Sequence, residues 1–452
     1  MRLTFVRLVD YPPVKATRRA NAGSVLAGAL ALLLALGWPL NCAAYAVLAH
    51  EAIIDAAWET HIKPELLRKF PQATELDLSG AQAYAYGGSI IQDLGYYPYG
   101  SHFFSDLTHY VRSGDFVLAL LRDAHDLDEY AFALGALSHY AADNDGHRIA
   151  TNLAVPILYP KLRKKYGGVV TYDEDPLAHV KTEFGFDVLE VSHERYAPES
   201  YHDFIGFEVA RDLLDRAFQE TYGLELKSVL LDEDKAINSY RHDVSKLLPK
   251  ATRIAWSLKK DEIANDLPGI TKRRFLYNLS RSSYEREWGR DYRKPTFGEK
   301  VLAFLYRLIP KFGPLKVLQF KTPTPQTEKM FQASFNATLA RYNRLIGELR
   351  SGQLEIPNDN LDTGGLTGPG QYPLADQTFA ALLGRLAPGH FSAAPPELRT
   401  ELLRFYADPN APYATRRDAR AWAKVESELH ELRSAGGPVP ATADDTAVHL
   451  LD

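Results

Sequence analysis

The sequence predicts an all-α protein. Three observations carry that prediction: most segments place apolar residues at three- and four-residue steps, strand-like alternation is scarce, and several histidines and carboxylates fall four apart on shared helix faces. With 452 residues and 46% hydrophobic content, the chain can fill one large core or two smaller ones.

The N-terminus reads as an export signal. Arg2, Arg7, Lys15, Arg18 and Arg19 precede the apolar run Val25 to Leu36, which is too short to span a bilayer. The small residues Cys42-Ala43-Ala44 then place cleavage after Ala44, so residues 1–44 leave and Tyr45 becomes the first residue. The protein is accordingly expected in the periplasm or outside the cell, with an uncleaved N-terminal membrane anchor as the alternative. Losing five basic side chains and one acidic one takes the net charge from −5 to −9, which weighs against nucleic acid as a partner. Cys42 is the only cysteine, so the mature chain has no disulfide or thiolate, and any metal must be held by nitrogen and oxygen.

Helical periodicity follows over Ala46 to Phe70, Asp115 to Leu121, Asp128 to Ala142, Phe204 to Tyr222 and Lys235 to Lys250. The aromatic, glycine-rich stretch Tyr84 to Phe104 reads as a long ordered loop. Residues 45–250 are therefore expected to form one domain, and 251–435 a second helical region without an assigned role. Thr296 to Pro325 mixes Lys300, Arg307, Lys311, Lys316 and Lys321 with bulky apolar residues. That pattern fits a core-packed helix with a solvated basic face, or a peripheral membrane contact through 296–325. A long helix is expected over Thr327 to Leu349, a Gly/Pro/Asn/Asp-rich loop over Pro357 to Tyr372, helices over Pro396 to Tyr406 and Thr415 to Arg433, and a flexible tail over 436–452.

The chemical signal lies in His139-x3-Asp143-x3-His147, His179-x3-Glu183, and Asp93 and His102 upstream. Residues four apart stack on one helix face, so the first set forms a stripe of imidazole, carboxylate and imidazole. Such donors suit zinc, and a cation resolves the cost of a buried carboxylate. The plainer alternative is a hydrogen-bond network centred on Asp143 with two structural histidines.

The stretches Tyr45-Ala46-Val47-Leu48-Ala49-His50, Tyr99-Gly100-Ser101-His102-Phe103-Phe104, Leu137-Ser138-His139-Tyr140-Ala141-Ala142-Asp143 and His179-Val180-Lys181-Thr182-Glu183 together resemble the zinc-dependent phospholipase C family. That family is related in fold to the single-strand-specific zinc nucleases. The resemblance covers Tyr45 to Leu248 and implies three zinc ions. Asp93, His102, His139 and Asp143 would hold one; His147, His179 and Glu183 a second; Tyr45, through its α-amino group and carbonyl, and His50 a third, bridged by Asp143. The Asp93–His102 and Asp143–His147 intervals are shorter than the family's, which leaves His109 and Asp106 as competing ligands. Leu48 and Leu94 stand where choline-specific members carry acidic and aromatic residues. Tyr99 does resemble a head-group aromatic, and with Tyr97 and Phe103 (and Tyr86 and Tyr96 nearby) it is expected to wall the substrate site.

The expected activity is hydrolysis of a phosphodiester by metal-activated water, with Asp93 as both ligand and general base. The leading substrate is a phospholipid, cleaved to diacylglycerol and a phosphorylated head group. The alternatives are a single-strand nuclease or 3'-nucleotidase of the related branch, whose last motif usually ends in Asp where this chain has Glu183, and a non-catalytic helical binding protein stabilised by metal.

Overall fold

The computed structural model describes residues 47–192, 207–244 and 319–435, and over them the chain is all-α. The expected signal 1–44, Tyr45, most of the basic stretch 296–325 and the tail 436–452 lie outside the described residues. Among the described residues, no helix is long and apolar enough to cross a membrane.

The first expected helix forms as α1 (Val47–Ala57) and α2 (Lys63–Lys69), joined by a π turn over Trp58–Ile62. Helix α3 (Glu75–Gly88) opens with a capping box, in which the Thr74 hydroxyl accepts from the Asp77 amide and the Asp77 carboxylate accepts from the Thr74 amide. The stretch read as a long loop is thus helical to Gly88, and helical again in a 3-10 segment over Ile91–Tyr96. Its glycines serve close packing rather than chain reversal.

Next come α4 (His102–Tyr110), α5 (Ser113–Asp123) and α6 (Leu127–Gly146). Asp126 caps α6 by accepting from the Glu129 amide at 2.9 Å. A second π turn, His147–Thr151, leads into α7 (Asn152–Leu158), followed by α8 (Pro160–Tyr166) and α9 (Pro176–Ser192). Then follow α10 (Arg211–Tyr222), α11 (Leu226–Val229), α12 (Glu233–His242) and the long α13 (Pro325–Ser351). The expected loop at 357–372 carries one short antiparallel pair, β1 (Asp359–Asn360) and β2 (Gly365–Leu366). Helices α14 (Pro373–Leu386), α15 (Pro396–Phe405) and α16 (Ala419–Ala435) finish the described chain.

Helix α6 is the axis of the core and is buried from Tyr130 to Gly146, with α3, α5 and α13 packed around it. The approach of α3 is backbone to backbone. A Cβ on Gly135 would lie 2.2 Å from the Ala85 carbonyl oxygen, and one on Gly88 1.9 Å from that of Phe132. On the other side Tyr342 of α13 donates its hydroxyl to the Leu134 carbonyl at 2.9 Å, and Arg341 forks onto Asp145 at 2.9 and 3.1 Å. One apolar cluster runs from Val47 through Phe335 and Tyr342 to Leu432. The division expected at residue 250 is therefore not a division of the core.

Candidate metal centre

Helix α6 supplies His139 and Asp143 from one face, as their spacing requires. The close approach of α3 brings the Ser89 carbonyl within 3.0 Å of His139 Nδ1. A carbonyl only accepts, so Nδ1 carries the proton and the Nε2 lone pair points inward. Helix α1 adds His50, whose ring stacks on His139 at 4.5 Å between centroids and whose Nε2 lies 3.5 Å from Asp143 Oδ1. The start of α1 is pinned by Asp187 of α9, which accepts from the Leu48 amide at 3.0 Å.

Asp93 sits in the 3-10 segment. Its neighbour Gln92 holds the segment in place: the Gln92 backbone carbonyl accepts from Ser105 Oγ at 2.6 Å, and the side-chain Nε2 donates to the Ala136 carbonyl at 3.1 Å. Here one sequence expectation changes. His102, read as the ligand beside Asp93, is exposed at the start of α4, its ring against Tyr96. Two turns along the same helix, His109 faces the site instead. Its Nε2 lies 3.4 Å from Asp93 Oδ1, 3.2 Å from Asp143 Oδ2 and 3.3 Å from His139 Nε2, while Nδ1 donates to the Ser105 carbonyl at 2.7 Å. Asp106, the other competing residue, is not in the groups that converge.

A second cluster forms around His147, where the π turn begins. The wide turn closes with the Asn152 amide donating to the His147 carbonyl, which sets Asn152 above His147. His147 Nδ1 lies 3.0 Å and His179 Nε2 3.5 Å from Asp362 Oδ1. Glu183 flanks the other edges of the same rings, 2.9 Å from His179 Nδ1 and 3.6 Å from His147 Nε2. Asp362 was absent from the sequence reading. Its only signal there was a position in a loop rich in turn residues, since such loops carry function more often than their share.

The electrostatics call for cations. Asp93, Asp143, Glu183 and Asp362 are all buried, and the charged partners that face them among the described residues are imidazoles. Both oxygens of Asp143 and of Glu183, Asp93 Oδ1 and Asp362 Oδ1 make no hydrogen bond. Burial pushes Asp93 above the usual carboxylate range, and Glu183 well above it, with Asp143 and Asp93 adding to the latter. Burial would also raise Asp143, but the His139 and His109 rings hold it well below that range. His109 resists the discharging effect of burial because Asp143 and Asp93 face it, and it rises to about 10. Protons thus occupy places that divalent ions fit. Two inward lone pairs 3.3 Å apart, beside unbonded carboxylate oxygens, form a donor set of the kind that suits zinc. Three groups bring their ligand atoms within 4.8 Å of one another: His50, His139 and Asp143; Asp93, His109 and His139; and His147, His179 and Asp362.

Of the aromatics, Tyr96 packs on the His109 ring at 6.3 Å. Tyr97 is buried edge-on against Tyr240, Tyr99 lies under Lys235 with φ +65, and Phe103 lies under the Arg385 guanidinium.

Residues 49–231 match the family model described as zinc dependent phospholipase C. That segment belongs to the zinc-dependent phospholipase C family. It contains His50, Asp93, His109, His139, Asp143, His147, His179 and Glu183, whereas Asp362 lies well beyond it. The family and the all-α fold expected from the sequence both stand. No curated protein and no solved structure matches the chain.

Proposed function

We propose that the chain is a zinc-dependent phospholipase C, cleaving a phospholipid into diacylglycerol and a phosphorylated head group. The observation that carries this reading is the convergence of buried imidazoles and unbonded carboxylates inside the family-matched segment. Zinc held by such donors supplies hydroxide from water near pH 7 and positive charge for the phosphoryl oxygens.

Asp93 is the proposed general base. Its Oδ1 makes no hydrogen bond, and burial raises its affinity for a proton. Ser89 and Ser105 fix the tautomers of His139 and His109 by accepting from Nδ1, which keeps both Nε2 atoms available as ligands. We assign Asp143 as the bridge between the Asp93–His109–His139 group and the group containing His50. Tyr45 would complete the latter through its α-amino group once residues 1–44 are removed, and export is part of the same reading. The acidic charge of the chain favours lipid over nucleic acid.

The purified protein should contain about three zinc ions per chain. It should hydrolyse phosphatidylcholine, phosphatidylethanolamine or p-nitrophenyl phosphorylcholine, lose activity with a chelator and recover it with zinc. Cleavage of single-stranded DNA alone would move the assignment to the nuclease branch. A zinc-loaded protein inactive on all four substrates would refute hydrolysis altogether.

A further inference from the structure

The second cluster contains a carboxylate that the family-matched segment does not supply. We propose that Asp362 is a resident metal ligand of the His147–His179 site, delivered by the loop after α13; this rests on the metal-centre reading above. Asp362 Oδ1 makes no hydrogen bond and faces His147 Nδ1 at 3.0 Å and His179 Nε2 at 3.5 Å. It meets those rings on the edges opposite Glu183. The two imidazoles therefore have a carboxylate on each side, one from α9 and one from the distant loop.

The rest of Asp362 is fixed as a ligand's outer contacts should be. Oδ2 accepts from the Tyr372 hydroxyl at 2.7 Å and the Tyr172 amide at 3.1 Å. The backbone carbonyl accepts from Asn152 Nδ2 at 2.7 Å, and the amide donates to Asn360 Oδ1 at 3.0 Å. Asn152 Oδ1 also accepts from His179 Nε2 at 2.8 Å, so one side chain, raised by the π turn, ties ring and loop together, and an ion shared by His179 and Asp362 would displace that proton.

The loop is anchored on both sides of Asp362. Leu361 donates its amide to the His109 carbonyl at 3.0 Å, and the Tyr140 hydroxyl donates to the Pro357 carbonyl at 2.9 Å. At Gly114 the loop backbone comes so close that a Cβ would meet the Pro357 carbonyl oxygen at 2.4 Å. A segment tethered at this many points is a wall of the site, not a cover that swings over it.

Metal analysis of the folded, full-length protein tests the assignment independently of activity. Asp362→Asn should lose one zinc equivalent per chain and keep the others. Tyr372→Phe removes the hydroxyl that orients the same carboxylate, and should weaken that one ion about 10- to 100-fold in a chelator competition. Full zinc content and unchanged affinity in Asp362→Asn would overturn the inference. Should that variant not fold, unchanged affinity in Tyr372→Phe would overturn it. A wild-type protein that binds no zinc would instead refute the metal-centre reading itself, and this inference with it.

Discussion

His102 and His109 sit on one helix two turns apart, so they share a face and periodicity alone cannot choose between them. The choice is made by the 3-10 segment: Ser105 grips Gln92, and that contact sets Asp93 beside the second histidine rather than the first. His109→Ala should therefore lose one zinc equivalent and reduce hydrolysis by about 100-fold or more, whereas His102→Ala should retain full zinc content and activity within about twofold. Metal analysis paired with kinetics on the two variants checks this, and the reverse pattern would restore the sequence-based ligand set. At this scale helical spacing pointed to His139, Asp143, His147, His179 and Glu183, because it aligns donors whatever the loops do, whereas His50 entered only through the family resemblance. Asp362 was not, since a lone carboxylate in a loop has no periodic partner to mark it.

The glycines between Tyr84 and Phe104 read as loop signals at the level of elements, and most of that stretch is helix. Composition cannot separate a glycine that breaks a helix from one that lets another helix approach. Gly88 and Gly135 are of the second kind, and the contact they allow brings the Ser89 carbonyl to His139. In an exposed helix Gly→Ala gains about 1 kcal/mol. At Gly135 the new Cβ meets backbone 2.2 Å away, so the helices must part, and overpacking costs up to about 3 kcal/mol or more. Gly135→Ala should thus destabilise the protein by about 2 kcal/mol net and weaken zinc at the neighbouring histidine; a chemical-denaturation midpoint equal to wild type would show the helices can part freely. The long helices were readable from apolar spacing, but the π turn at His147 was not. One inserted residue changes the phase without changing the composition.

Across the whole molecule, the described residues before 245 and those after 318 share one core and one candidate site. Tyr342, Arg341 and Arg350 join α13 to the earlier helices, the last by an ion pair with Glu65 at 2.9 Å. A site drawing ligands from so many elements couples metal to global stability. Each ion held at 100 times its dissociation constant adds about 2.7 kcal/mol. Chelation should lower the melting temperature by several degrees per ion lost, and zinc should restore it; a melting temperature indifferent to both would uncouple the site from folding. The sequence placed the fold class and the family segment, yet it left 251–435 as a helical region without a role, because conventional amphipathic helices do not reveal which partner they pack on. The late position of Asp362 also sets an order in time. It follows His179 by 183 residues, so at about 5–20 residues per second the histidines emerge roughly 10 to 40 s before it. On the proposed assignment the nascent chain carries an incomplete His147–His179 site for that interval, and this ion is captured in its final form only once the loop bearing Asp362 has been made.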